Sequence, residues 1–251
     1  MREYLRDNGL LWIRDYHVDG LRWDATAYIR NVDGHDNDPK NDLPDGWNLM
    51  QWINEEVDPG KASSWAAKKK SALGAAIVFT SPGIPMFFQG QEFLEDDWFH
   101  DQDPLDWSKK KRFAGIFRLY QDLIRLRLNR DGQTRGLCGQ EVGVHHVNND
   151  RKILAYHRWA DGGPGDSVLV VANFSNHPQQ DYVIGFPAVG EWVVRFNSDS
   201  KYYDSDFGDQ GPATVNASGP GRDGLSHSGK LTIAPYSAIV LSQNRTGTFR
   251  S

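Results

Sequence analysis

Arg22 and Asp24 stand two residues apart in the run Tyr16-His17-Val18-Asp19-Gly20-Leu21-Arg22-Trp23-Asp24-Ala25-Thr26. The run reads as a short buried strand. Side chains alternate in a strand, so Arg22 and Asp24 share one face and Leu21 and Trp23 the other. A guanidinium beside a carboxylate favours its ionised form, which suits a nucleophile or an electrostatic stabiliser rather than a proton donor. The plain alternative is an Arg–Asp salt bridge at a strand end. Glu55 and Glu56 are the only closely paired glutamates between Asp24 and Met86. One of them could serve as an acid if the fold brought it within reach. The alternative is a pair of exposed residues near a helix C-terminus, where negative charge is slightly unfavourable. The polar stretch over residues 33–48 invites a calcium reading. It has no glycine at the sixth loop position and no glutamate at the twelfth, so it reads as a solvated loop, and no metal site is expected.

Elements that could position these residues follow from periodicity. Residues 2–15 place Tyr4, Leu5, Asn8, Leu11 and Trp12 on one helical face. That helix leads by a short connection into the Arg22–Asp24 strand, the αβ half of a βα repeat. A short helix opens at Gly46 or Asn48. A second amphipathic helix is expected over residues 62–79, with Ser63 or Ser64 as N-cap and Lys68-Lys69-Lys70 as a solvated face. Ser81-Pro82-Gly83-Ile84-Pro85 turns the chain, and Met86-Phe87-Phe88-Gln89 reads as a parallel strand buried on both faces. Residues 112–128 form a helix with a buried face of Phe113, Ile116, Phe117, Tyr120, Leu123, Ile124 and Leu128.

Beyond Asp131-Gly132 the pattern changes to short alternating runs between Gly, Asn and Pro turns. Strands are expected at residues 142–147, 152–159, 167–174, 180–186, 191–197, 230–234 and 236–242, which together read as an antiparallel β-sandwich. Residues 198–229 read as a long mobile loop. The boundary between residues 1–130 and 131–251 follows from this change.

Asp19-Gly20-Leu21-Arg22-Trp23-Asp24 resembles the fourth-strand motif of the α-amylase superfamily of glycoside hydrolases and transglycosylases. The run Gly-Ile-Pro-Met-Phe-Phe-Gln-Gly-Gln-Glu at 83–92 resembles the eighth barrel strand of the same superfamily, and the extension through Asn31 and Asp103-Pro104-Leu105-Asp106-Trp107 resemble its branching-enzyme side. The resemblance implies a partial (β/α)₈ barrel, an α/β remnant, followed by a C-terminal all-β domain. It implies Asp24 as the nucleophile, Arg22 as the residue holding it, and Glu92 as a supporting residue. The implied reaction is retaining glycosyl transfer on α-1,4-glucans, as in 1,4-α-glucan branching enzymes, through a covalent glycosyl-Asp intermediate and without a cofactor. The alternatives are a glucan hydrolase of the amylase or maltooligosyl-trehalose type, or a non-catalytic glucan-binding protein.

A retaining mechanism also needs an acid/base carboxyl about 5–5.5 Å from the nucleophile. The family's acid ends a short apolar run in Ala-Glu or similar, and no such run follows Asp24. The only His-Asp pair before the eighth-strand-like run, His35-Asp36, lies in the polar loop. Barrel arithmetic agrees: four βα units need about 120 residues, and only about 60 separate Asp24 from Met86. The seam is expected near Asn54-Glu55-Glu56-Val57-Asp58-Pro59, and earlier barrel strands would precede Met1. An impaired enzyme follows, with an open barrel edge through which it could dimerise.

The 251 residues are ample for a core, and the net charge of −5 without a basic stripe excludes nucleic acid as a partner. A single cysteine excludes an internal disulfide, and the sequence has no signal core or membrane-length apolar run. The expectation is a cytoplasmic protein that does not engage a membrane.

Overall fold

The computed structural model describes residues 64–95 and 104–245. The helix over 2–15, the strand with Arg22 and Asp24, the loop 33–48, the helix opening at Gly46 or Asn48 and the seam with Glu55 and Glu56 lie outside the described residues.

Within the compact unit Ala62–Ser251 the chain forms helix α1 (Trp65–Thr80), α2 (Lys109–Arg112) and α3 (Ala114–Arg127). Eight strands follow: β1 (Glu141–Asn148), β2 (Ile153–Trp159), β3 (Val168–Asn173), β4 (Gln179–Phe186), β5 (Gly190–Asn197), β6 (Thr214–Ala217), β7 (His227–Ile233) and β8 (Ser237–Ser242). All pairings are antiparallel. Six strands form a sheet in the order β1-β2-β3-β8-β5-β6, and β4 and β7 form a separate ribbon.

The central strands β3 and β8 are buried along their whole length, as their continuous apolar composition demands. Alternation then sorts their side chains into two cores. Val168, Val170, Ala172, Ala238 and Val240 face a cluster built with α1 and α3. Leu169, Val171, Ile239 and Leu241 face a second cluster with Tyr182, Ile184, Phe186, Leu231 and Ile233 of the ribbon. The six-stranded sheet is thus the middle of three layers, helices on one face and ribbon on the other.

The all-β half is as expected, with differences that have physical causes. Residues 198–229 are no mobile loop. They contain β6, and their Tyr203 and Phe207 are buried in the helix-side core. The Tyr203 hydroxyl donates to Asp122 at 2.9 Å, and burial together with that carboxylate pushes the phenol's pKa upward. Helix α1 is apolar around much of its circumference rather than along one stripe, with Ala72, Leu73, Ala75, Ala76, Ile77 and Phe79 all buried. Its Lys68 and Lys69 are buried too, because carboxylates of the 198–209 segment reach them. Ile124 of α3 and Leu128, which follows the helix, are exposed rather than buried, while Leu119 and Leu126 complete the apolar stripe.

The expected barrel strand Met86–Gln89 is not a strand. Ile84, Met86 and Phe88 are 95%, 66% and 60% exposed. An apolar run becomes a buried parallel strand only when neighbours pair with both its edges, and no partial barrel is seen among the described residues.

Candidate functional site

Helix α1 begins at Ser64, whose hydroxyl accepts from Ala67 N at 3.1 Å, the capping geometry its sequence predicts. Its C-terminal carbonyls are taken up by two arginines. Arg158 of β2, fully buried, donates to Thr80 O, to Glu141 O at 2.9 Å and to Gly139 O at 2.6 Å. Arg127 of α3 donates to Ser81 O at 2.6 Å and to Gly83 O. Thr80 Oγ1 and the Tyr156 hydroxyl also share a hydrogen bond. Cations at a helix C-terminus complement its dipole and its unpaired carbonyls. The end of α1 and the segment leaving it are therefore held by side chains from β2 and from α3.

That segment ends in a rigid turn. Gly90 has φ +85, and a Cβ there would collide with the Glu95 side chain. Gln91–Phe93 is one 3-10 turn, closed by Leu94 at φ 56. Glu95 fastens the turn: its NH donates to Gly90 O at 2.9 Å, and its carboxylate accepts from Asp106 N at 2.7 Å and pairs with Lys109 Nζ at 2.5 Å. Phe93 packs on Trp107 with ring centroids 5.3 Å apart. On this turn sits Glu92, whose Oε2 is buried and makes no hydrogen bond. Beside it Tyr120, in an aromatic cluster with Phe79 and Phe87, has its pKa pushed up to about 12. Burial is the main cause. The Glu92 charge adds to the shift, and a hydrogen bond with Ser71 opposes it.

Asp24, Arg22, Glu55 and Glu56 lie outside the described residues, so Glu92 is the one sequence-singled carboxylate with a structural setting here. The described residues hold no group of three or more His, Cys, Asp or Glu placed to bind a metal ion. Sequence reasoning missed the gripping arginines, because Arg127 lies outside the residues read as the helix's buried face and Arg158 in a strand read only for its alternation. It also missed Lys68 and Lys69. Lys69 Nζ meets Asp199 Oδ1 at 2.5 Å, and Lys68 Nζ meets Asp204 and Asp206 at 2.8 Å. Their partners lie 130 to 138 residues away, beyond any local signal.

Comparison with known proteins adds to this geometry. Residues 144–244 match the family described as alpha amylase, C-terminal all-beta domain. The 1,4-alpha-glucan branching enzyme GlgB of Burkholderia thailandensis is 33% identical over 196 residues, covering 73% of this chain and 22% of that protein. The enzyme of the same name from Photobacterium profundum is 25% identical over 346 residues, covering 96% of this chain and 48% of that one. The chain thus spans from about a fifth to about half the length of these curated relatives. In the second alignment this chain fills 96% of its 251 residues, about 241 of 346 positions, so about 105 positions have no counterpart here. A solved structure of a variant of AmyP in complex with maltotriose superposes with a TM-score of 0.51 at 11% identity, over 78% of this chain and 38% of that one. It shares the fold. Between the C-terminal domain and the relatives that align beyond it, the chain belongs to the α-amylase superfamily and is branching-enzyme-like.

Proposed function

We propose that this chain derives from a 1,4-α-glucan branching enzyme and that its branching chemistry is impaired. The observation that carries the reading is the 33% identity to a branching enzyme across nearly three quarters of the chain. In the proposed chemistry Asp24, held by Arg22, attacks the anomeric carbon of an α-1,4-glucan. The bond to the leaving oxygen breaks as an acid protonates it. The acceptor hydroxyl then gives its proton to the same group, the sugar passes to the acceptor oxygen, and the bond to Asp24 breaks. Each half needs a carboxyl that the chain does not supply in the family's pattern. Glu55 and Glu56 are weak substitutes, which is why impairment is proposed. No cofactor enters either half, and the setting proposed is cytoplasmic.

The proposal includes the architecture: residues 1–130 as the remnant of a (β/α)₈ barrel and 131–251 as the C-terminal all-β domain, sharing the helix-side core. The exposed Ile84, Met86 and Phe88 support a dimer formed through the open edge of that remnant. Incubation with amylose followed by iodine staining tests the activity. An unchanged stain is expected, and a fall matching a competent branching enzyme would sink the proposal.

A second reading, glucan binding without turnover, is favoured by loss of the acid motif while the all-β domain is kept whole. Affinity electrophoresis on glycogen distinguishes it: retardation supports it, and unretarded migration rejects it. A switch of acceptor to water would instead appear as reducing ends released from amylose.

A further inference from the structure

Strand β1 is an edge of the six-stranded sheet and, among the described residues, pairs only with β2. Its register slips between Val144, opposite Tyr156, and His146, opposite Ala155, which leaves His145 as the extra residue of a β-bulge. The bulge sets adjacent histidines in different surroundings. His146 is fully partnered: Nδ1 lies 3.1 Å from Asp223 Oδ2, and Nε2 lies 2.8 Å from the Tyr182 hydroxyl, which also accepts from Asn148 at 2.9 Å. Both ring nitrogens of His145 are buried without a hydrogen bond, as is Nε2 of His157 on β2. The backbone of Gly143 and Gly185 lies close enough to His145 to favour its protonated form. His157 is stacked on Trp159, with centroids 4.6 Å apart and planes 26° from parallel.

A buried imidazole without a partner for its second proton is tolerated only when neutral. We propose that His145 and His157 form an acid-sensitive latch: docking of the β1 edge requires both rings to be neutral, and protonation releases β1 from β2.

The surroundings agree. Burial, the largest cause, and His146 lower the His145 pKa, and they outweigh the backbone of Gly143 and Gly185 and the carboxylate of Asp223, from the loop before β7, which favour protonation. Asp166, before β3, favours protonation of His157. Burial, the largest cause, and His145 oppose it and bring it down to about 4. The face of Trp159 would favour an imidazolium, but burial outweighs it. Both folded-state values lie below the ordinary 6.5, so the open strand binds protons more readily than the docked one. The latch is fully closed above about pH 6.5 and loosens as pH falls towards 4. With values of 6.5 open and about 4 docked, His157 alone lowers the closed-to-open ratio roughly 30-fold between pH 8 and pH 5.

The test is hydrogen–deuterium exchange on the full chain at several pH values, corrected for intrinsic rates. Protection of residues 143–148 is expected to fall at least 30-fold relative to β3 between pH 8 and pH 5, and His157→Leu is expected to flatten that fall. Equal pH dependence in wild type and variant, or constant protection in wild type, overturns the latch. Should the variant fail to fold, NMR titration of the wild-type imidazoles decides. A His157 transition well below 6 supports the proposal, and one at 6.5 or above overturns it.

Discussion

Lys69 shows how far a single side chain departs from its expected place. An ammonium in the interior loses its hydration, and here burial outweighs the pairing with Asp199, so the Lys69 pKa is lowered. Asp199 is further satisfied by Gly208 N at 3.1 Å and Gln210 N at 2.9 Å. Lys69→Met would leave the carboxylate buried without its cation and is expected to cost about 3–5 kcal/mol in urea unfolding. Arg125 and Asp131 also pair, at 3.0 Å, but both are about 60% exposed, and Arg125→Ala is expected to cost less than about 1 kcal/mol. Equal costs for the two substitutions would refute this view of α1. The contrast marks what was legible at this scale. Ser64 as N-cap could be read because its bond is made three residues away. Lys68-Lys69-Lys70 looks like a solvated run because nothing nearby in sequence announces Asp199, Asp204 or Asp206.

Among the elements, strands whose alternation is strong enough to read are present within one to three residues of their expected limits. The four-residue β6, Thr-Val-Asn-Ala, is too short to rise above its Gly-, Ser- and Asp-rich flanks. Met86–Gln89 fails in the opposite direction: its composition is that of a barrel strand, but being a strand depends on partners that composition does not encode. The segment 198–210 became an ordered element through long-range contacts. One of these is its close approach to α3, where a Cβ on Gly115 would overlap the Tyr203 carbonyl. Gly115→Ala is therefore expected to destabilise by about 1–3 kcal/mol despite alanine's better helix propensity. A rise in melting temperature for this variant would show that the segment does not lie against α3.

For the whole molecule, the helices and the all-β half share one core, with Val168, Val170, Ala238 and Val240 meeting Ile116, Leu119 and Leu123. Removing residues 1–130 would strip that face of its cover. A chain trimmed to 131–251 is expected to bind a hydrophobic dye and to unfold at lower urea than one trimmed to 62–251, and identical behaviour would contradict the shared core. No helix among the described residues is long and apolar enough to cross a membrane. The proposed site rests on motifs: Asp24, Arg22 and Glu92 sit in short runs of distinctive composition, and the first two lie outside the described residues. Its proposed incompleteness rests on spacing: about 60 residues stand where four barrel units need about 120. The roughly 105 unmatched positions against the Photobacterium profundum enzyme are of the same kind. Our central proposal is that Asp24 acts as a nucleophile that lacks its acid, so that the chain does not branch glucan. It is tested most directly by NMR quantitation of α-1,6 linkages formed from amylose by the chain and by its Asp24→Ala variant. The account predicts no linkages above the enzyme-free blank from either protein. New α-1,6 linkages from the chain that disappear in Asp24→Ala would contradict it.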